Sequence, residues 1–273
     1  MLDQLVVGIV TLVLVLFVAY AFVYGILNII IEPIYVLLYN RPIYTHWYLI
    51  TKKLSPLRKK ILIGKVPFFR RLSVRRQGYF EHRVATFIKT YEFQGKSIEI
   101  TDEIQVLVAS AYVMLTFGMR NYITDVFDKI LIYPDSYHST INEQLHNGEF
   151  NPHYGAVVFS WKHFREGFEE GSDNLNLGIH EFAHVLHYHG LKKGDNSSAI
   201  FADRYARIMK EVNHPPNAKK LIESDYFRIY AYTNQFEFLA VILEHFFETP
   251  QRFKQEFPQL YENVRQMINF TPQ

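Results

Sequence analysis

The sequence predicts an α+β protein: a mostly helical domain with a small sheet, preceded by one transmembrane helix. Three observations carry this expectation. An uncharged apolar run occupies residues 5–31. Stretches with apolar side chains at helical spacing follow at 78–91, 102–117, 175–188 and 233–247. Two short continuous apolar runs of strand length, 130–134 and 156–161, lie among them.

The first run contains Thr11 and Asn28 as its only clearly polar side chains. As a helix it extends roughly 40 Å, enough to cross a ~30 Å hydrocarbon core with tilt. A cleaved signal peptide needs a basic start and a shorter apolar run, whereas this chain has Asp3 and no basic residue before Arg41. Glu32-Pro33 marks the expected end of the span, with 34–38 continuing at the interface. Eleven basic residues then follow: Arg41, Lys52, Lys53, Arg58, Lys59, Lys60, Lys65, Arg70, Arg71, Arg75 and Arg76. No acidic residue falls between Glu32 and Glu81. The positive-inside rule keeps this flank, and so the rest of the chain, in the cytoplasm, and the basic run also attracts anionic headgroups. The expected organisation is an anchor at 1–40, a basic juxtamembrane segment at 41–76 and a domain at 77–273.

Within the domain, 78–91 reads as a helix with a stripe of Phe80, Val84, Phe87 and Ile88. The chain turns at Gln94-Gly95-Lys96, and 97–100 reads as a short strand. Thr101 caps a helix over 102–117, with Asp102 and Glu103 in its first turn. Strands are expected at 130–134 and 156–161, the latter as an edge where an extended peptide docks. A helix over 161–169 leads to Asn174, read as the N-cap of the next helix.

Composition narrows the chemistry. A chain of 273 residues, 49% of them apolar, suits one catalytic domain plus an appendage, or two small domains. A net charge of +2 implies no global attraction to nucleic acid. There is no cysteine, which excludes disulfides, a cysteine nucleophile and thiolate metal sites. Any metal must be held by His, Asp, Glu or water.

The motif in the helix at 175–188 is His180-Glu181-Phe182-Ala183-His184, an HExxH pattern. Two histidines four residues apart project from one helix face and can grip one metal ion, while Glu181 reaches a water on that metal as general base. The bound metal is then expected to be zinc, acting as Lewis acid in a zincin-like metallopeptidase domain. A third ligand is needed. The helix from Thr233 onward, capped by Asn234, offers Glu237 and Glu244, seven residues apart.

Phe236-Glu237-Phe238-Leu239-Ala240, with Tyr230 seven residues before Glu237, is similar to the helix that supplies the zinc glutamate and a catalytic tyrosine in the anthrax lethal factor catalytic domain. More broadly, the chain from about residue 57 onward resembles the Mlc titration factor A family of zinc peptidases. The matching blocks are 97–110, 130–135, 156–161, 174–184 and 230–261. The resemblance implies His180, His184 and Glu237 as zinc ligands, Glu181 as general base and Tyr230 as the hydroxyl that stabilises the oxyanion. It leaves Glu244 to hold His180 or His184 by the free ring nitrogen. Two departures stand out: Val185-Leu186-His187 replaces the family's Lys-Leu-Asp, and a different loop runs over 192–198. His187, one turn past His184, is a further candidate to support the ligands. His138, His146, His153, His163 and His189 read as surface or structural.

The expected function is therefore a single-pass membrane-anchored zinc peptidase facing the cytoplasm and acting on a peptide or protein substrate. The alternative is a membrane-tethered regulatory module that binds a cytoplasmic protein partner with little hydrolytic activity. No nucleic-acid partner is expected.

Overall fold

The structure, a computed structural model, describes residues 2–139, 144–192 and 194–271. It divides into two compact units, Met1–Tyr44 and Thr45–Gln273.

The first unit is helical over residues 2–39. Helix α1 (Leu2–Ile26) runs through a π-helical turn (Leu27–Ile31) into α2 (Glu32–Tyr39). The helix continues past Pro33 to Tyr39. Proline sits in the first turn of α2, where its missing N–H is tolerated, and the widened turn before it makes room for the ring. Asn40, in the left-handed region at φ 53°, closes the helix. Thr11 Oγ1 and Asn28 Nδ2 donate to the carbonyls of Val7 and Tyr24 (2.8 and 2.7 Å), so both polar side chains are satisfied within the helix. Over 3–39 this helix is long and apolar enough to span a membrane, with a mean hydropathy of 2.9 in its most apolar window.

In the second unit, the basic segment forms helices α3 (Pro56–Lys65), α4 (Pro67–Arg71) and the start of α5 (Val74–Thr90). Leu62, Val66, Phe68, Phe69 and Leu72 enter the main core from it. Ser55 caps α3 and Pro56 occupies its first turn. Helix α6 (Asp102–Thr116) is buried nearly all round and starts on the expected Thr101 cap, whose hydroxyl accepts from Ile104 N–H at 3.3 Å.

The sheet has the order β1 (Glu92–Gly95), β2 (Lys129–Tyr133), β6 (Ala156–Ser160), β5 (Gly148–Asn151). β1, β2 and β6 are parallel and β5 is antiparallel to β6. A separate two-stranded ribbon joins β3 (Tyr137–His138) to β4 (Leu145–His146). Two expectations are corrected. The first strand is 92–95 rather than 97–100, because Ser97 at φ 63° turns the backbone out of the sheet ahead of α6. The 156–161 run is an interior strand, not an edge: β6 is paired on both sides and buried at all five positions. The outer strand on that side is β5.

Helix α7 (Trp161–Glu170) follows, then α8 (Leu177–Lys192), which packs against α6, β5, α9 (Asn196–Val212) and α11 (Gln235–Glu248). α8 starts on Asn176, whose side-chain oxygen accepts from Ile179 N–H at 3.0 Å. Asn174, expected as the cap, instead sits at φ 60° with its N–H donating to Glu248 at 2.7 Å. Asp195 caps α9 by accepting from Ser198 N–H and stands 3.3 Å from His189. Lys193, part of the altered loop, lies outside the described residues. Helices α10 (Pro215–Glu223), α12 (Pro250–Glu256) and α13 (Pro258–Met267) complete the unit.

Candidate metal centre

The cluster is built where α8 crosses α11. The helical period brings His180 and His184 to one face, with ring centroids 4.9 Å apart and planes at 89°. Asn234 caps α11 by accepting from the N–H groups of Phe236 and Glu237, which fixes Glu237 in the first turn and aims it at α8. His180 Nε2 lies 3.0 Å from Glu237 Oε2, and His184 Nε2 lies 3.6 Å from Glu237 Oε1. One donor atom from each of these three residues falls within 4.8 Å of the other two.

These separations suit a metal. Donors bonded at ~2.0–2.2 Å around a tetrahedral ion sit about 3.3 Å from one another. Glu237 Oε2 is also buried with no hydrogen-bond partner among the described residues, despite its closeness to His180. Two imidazoles and a carboxylate form a donor set that a divalent ion satisfies.

A second layer holds the first. Glu244, two helical turns beyond Glu237, places Oε1 3.3 Å from His180 Nδ1. Its Oε2 pairs with Arg228 Nη1 at 2.7 Å. Arg228 also donates to the carbonyl of Asn174 at 2.6 Å, tying the start of α8 to α11. Burial lowers the His180 imidazole, but the Glu237 and Glu244 carboxylates outweigh it and raise it to about 10. Burial and the neighbouring His180 lower His184 to about 4.

Glu181 is buried beside the pair and faces β5. Its carboxylate accepts from the Phe150 N–H, and burial pushes it up to about 7. A carboxyl in that range can both take and release a proton near neutral pH. Gly148 leaves the room it occupies: a Cβ there would sit 2.7 Å from Glu181 Cγ and Oε1. Tyr230 lies in a 3₁₀ turn (Ile229–Tyr232) just before α11, half-exposed, its ring 6.1 Å from that of His180. Burial of part of the ring, together with the Glu237 charge, raises its phenol to about 12. A cavity of about 460 Å³ opens onto these groups, lined by Gly148, His180, Glu181, Arg228 and Tyr230 among others.

All five residues singled out in the sequence, His180, Glu181, His184, Tyr230 and Glu237, therefore converge. His187 does not join them. It is buried against Tyr205 and Phe236, with ring centroids 4.7 Å away in each case. His146 and His163, read as surface or structural, line the cavity. His189 is structural, its Nδ1 2.9 Å from Thr124 Oγ1. Sequence reasoning missed Arg228 and Gly148. Arg228 stands two residues before Tyr230, a weak signal, and nothing in the sequence marks Gly148.

The chain is 26% identical over 260 residues to the uncharacterized protein slr2042 of Synechocystis sp., covering 84% of this chain and 91% of that one. It is 27% identical over 172 residues to Mlc titration factor A of Escherichia fergusonii, covering 54% of this chain and 61% of that protein. With Mlc titration factor A of Klebsiella pneumoniae the identity is 24% over 222 residues, covering 72% and 80%. The family described as glucose-regulated metallo-peptidase M90 matches residues 43–268. That match takes in both helices of the His-His-Glu cluster and the sheet beside it, and the chain belongs to the M90 metallo-peptidase family.

Proposed function

We propose that the chain is a zinc-dependent peptidase held at a membrane by its N-terminal helix, with its site facing the cytoplasm. The observation that carries this reading is the convergence of His180, His184 and Glu237 with the buried Glu181 beside them. The two-imidazole, one-carboxylate set suits zinc, and with three protein donors it leaves a coordination position open. Zinc bound there supplies a Lewis acid for the scissile carbonyl and makes water more acidic.

The chain's own residues do the rest. Glu181 takes a proton from the attacking water and passes it to the leaving amine. Tyr230 donates a hydrogen bond to the oxygen on which negative charge develops. Glu244, anchored by Arg228, keeps the His180 ring oriented. Strand β5 borders the cavity at Gly148 and offers an outer edge to which an extended peptide can add by backbone hydrogen bonds. The run of basic residues after the apolar helix supports the cytoplasmic orientation.

Removing metal by dialysis against a chelator should abolish cleavage of a peptide library, and zinc should restore it. Cleavage that persists without metal would overturn the reading. The second reading, a module that captures a regulatory protein, draws on the name of the Mlc titration factor A relatives. A zinc-loaded chain that cleaves no peptide yet retains one specific protein would favour it.

A further inference from the structure

The loop leading into α3 presents a surface that the metal cluster does not use. Leu49 and Ile50 are 86% and 85% exposed, and Trp47 is 56% exposed. Adjacent aliphatic tips turned into water beside an indole are an unfavourable arrangement unless something covers them. The loop is not loosely attached. Arg83 donates to the Thr45 carbonyl at 3.2 Å and to the Tyr48 hydroxyl at 2.7 Å. Lys52 N–H donates to His82 Nδ1 at 2.8 Å, and Leu54 N–H to Glu81 Oε1 at 3.1 Å. Helix α5 thus pins the loop at four points and leaves the apolar side chains facing outward.

Charge identifies the occupant. Lys52 and Lys53 lie just beyond the apolar tip, after Thr51, and are exposed, with Lys53 Nζ also 3.6 Å from Glu81 Oε2. They belong to a segment with eleven basic residues and no acid between Glu32 and Glu81. An indole at headgroup depth, aliphatics below it and lysines reaching anionic phosphates form the chemistry of a bilayer interface. Leu49 also follows Tyr39, the end of the apolar helix, by only ten residues. A chain of that length reaches at most about 35 Å.

We propose that Trp47, Leu49 and Ile50, flanked by Lys52 and Lys53, form a docking surface for an anionic lipid bilayer. The proposal rests on the N-terminal helix entering that bilayer. The docked loop holds the peptidase unit at the membrane surface rather than letting it swing on a tether. Its substrates are then protein segments close to the bilayer.

The chain has two tryptophans, so Trp161→Phe leaves Trp47 as the sole indole reporter. The full chain carrying that change is reconstituted into vesicles of phosphatidylcholine with phosphatidylglycerol, some lipids bearing a nitroxide near the headgroup. Trp47 emission should be blue-shifted and quenched, and less so in phosphatidylcholine alone. Leu49→Glu with Ile50→Glu should abolish the quenching although the tether is intact. Lys52→Gln and Lys53→Gln should each lower the docked-to-free ratio roughly fivefold. Equal quenching in the parent and the double-glutamate variant overturns the docking surface, since proximity on a tether then explains it. Cross-linking through this loop between two copies also overturns it. A chain that alkaline carbonate strips from the vesicles overturns the membrane-span reading and the proposal with it. A retained chain with unquenched Trp47 overturns the docking surface alone.

Discussion

Gly148→Ala tests the link between the outer strand and Glu181, the proposed general base. The Cβ it introduces would stand 2.7 Å from Glu181 Cγ and Oε1 and from Leu177 Cδ1. Ordinary carbon contacts lie at ~3.5–4.0 Å, so the groups must separate by about 1 Å. Leu177 meets the new atom with a methyl group that can rotate away. Glu181 is held by the Phe150 N–H and by burial, so its displacement disturbs the reacting geometry. A misplacement near 1 Å costs about 100-fold in rate, and overpacking costs roughly 1–3 kcal/mol of stability. The assay is steady-state cleavage of a peptide substrate with metal content measured on the same sample. The expected result is kcat lower by about 100-fold with metal retained, because His180, His184 and Glu237 are not touched. Unchanged kcat in Gly148→Ala would refute the reasoning.

Three further outcomes are expected. Glu244→Gln removes the charge that faces His180 Nδ1 and Arg228, and should weaken metal affinity about 10–100-fold in a chelator competition. Tyr230→Phe should lower kcat by about 100–1000-fold with metal content unchanged, as expected for loss of an oxyanion donor. Burial pushes Glu248 from the ordinary 4.5 up to about 7, so its contribution to stability is full below 4.5 and lost as pH rises through 7. That gap corresponds to roughly 3 kcal/mol, reduced to about 1–2 kcal/mol by solvent at this partly exposed side chain. Thermal unfolding of Glu248→Gln should therefore shift in the variant's favour by a few degrees relative to wild type between pH 5 and pH 8.5.

What was legible in the sequence was local. Residue type and spacing alone put His180 and His184 on one helical face, and the Asn234 cap lies next to the carboxylate it positions. Thr101 and α6 were readable for the same reason. Asn174 misled because Asn176 offers the same capping chemistry two residues later, and Glu248, from a distant helix, claims the Asn174 N–H. The choice between Glu237 and Glu244 was open by helical spacing because both share a face. Three-dimensional reach separates them: Glu237 meets the Nε2 atoms of both histidines, whereas Glu244 meets His180 at Nδ1. Strand order was not readable either. A continuous apolar run such as 156–160 announces burial, and a strand buried on both faces is better suited to the interior than to an edge. Gly148 acts on Glu181, 33 residues away in sequence, and Arg228 joins Glu244 to the Asn174 carbonyl, 54 residues before it, which no local pattern records.

The most direct measurement compares the full chain with Glu181→Gln, reading zinc content and peptide cleavage on the same preparations. Both proteins should carry one zinc, since His180, His184 and Glu237 are intact in each. Only the wild type should cleave, with the variant slower by about 100-fold or more. A zinc-loaded Glu181→Gln protein that cleaves at the wild-type rate would contradict the assignment of Glu181 as the proton carrier.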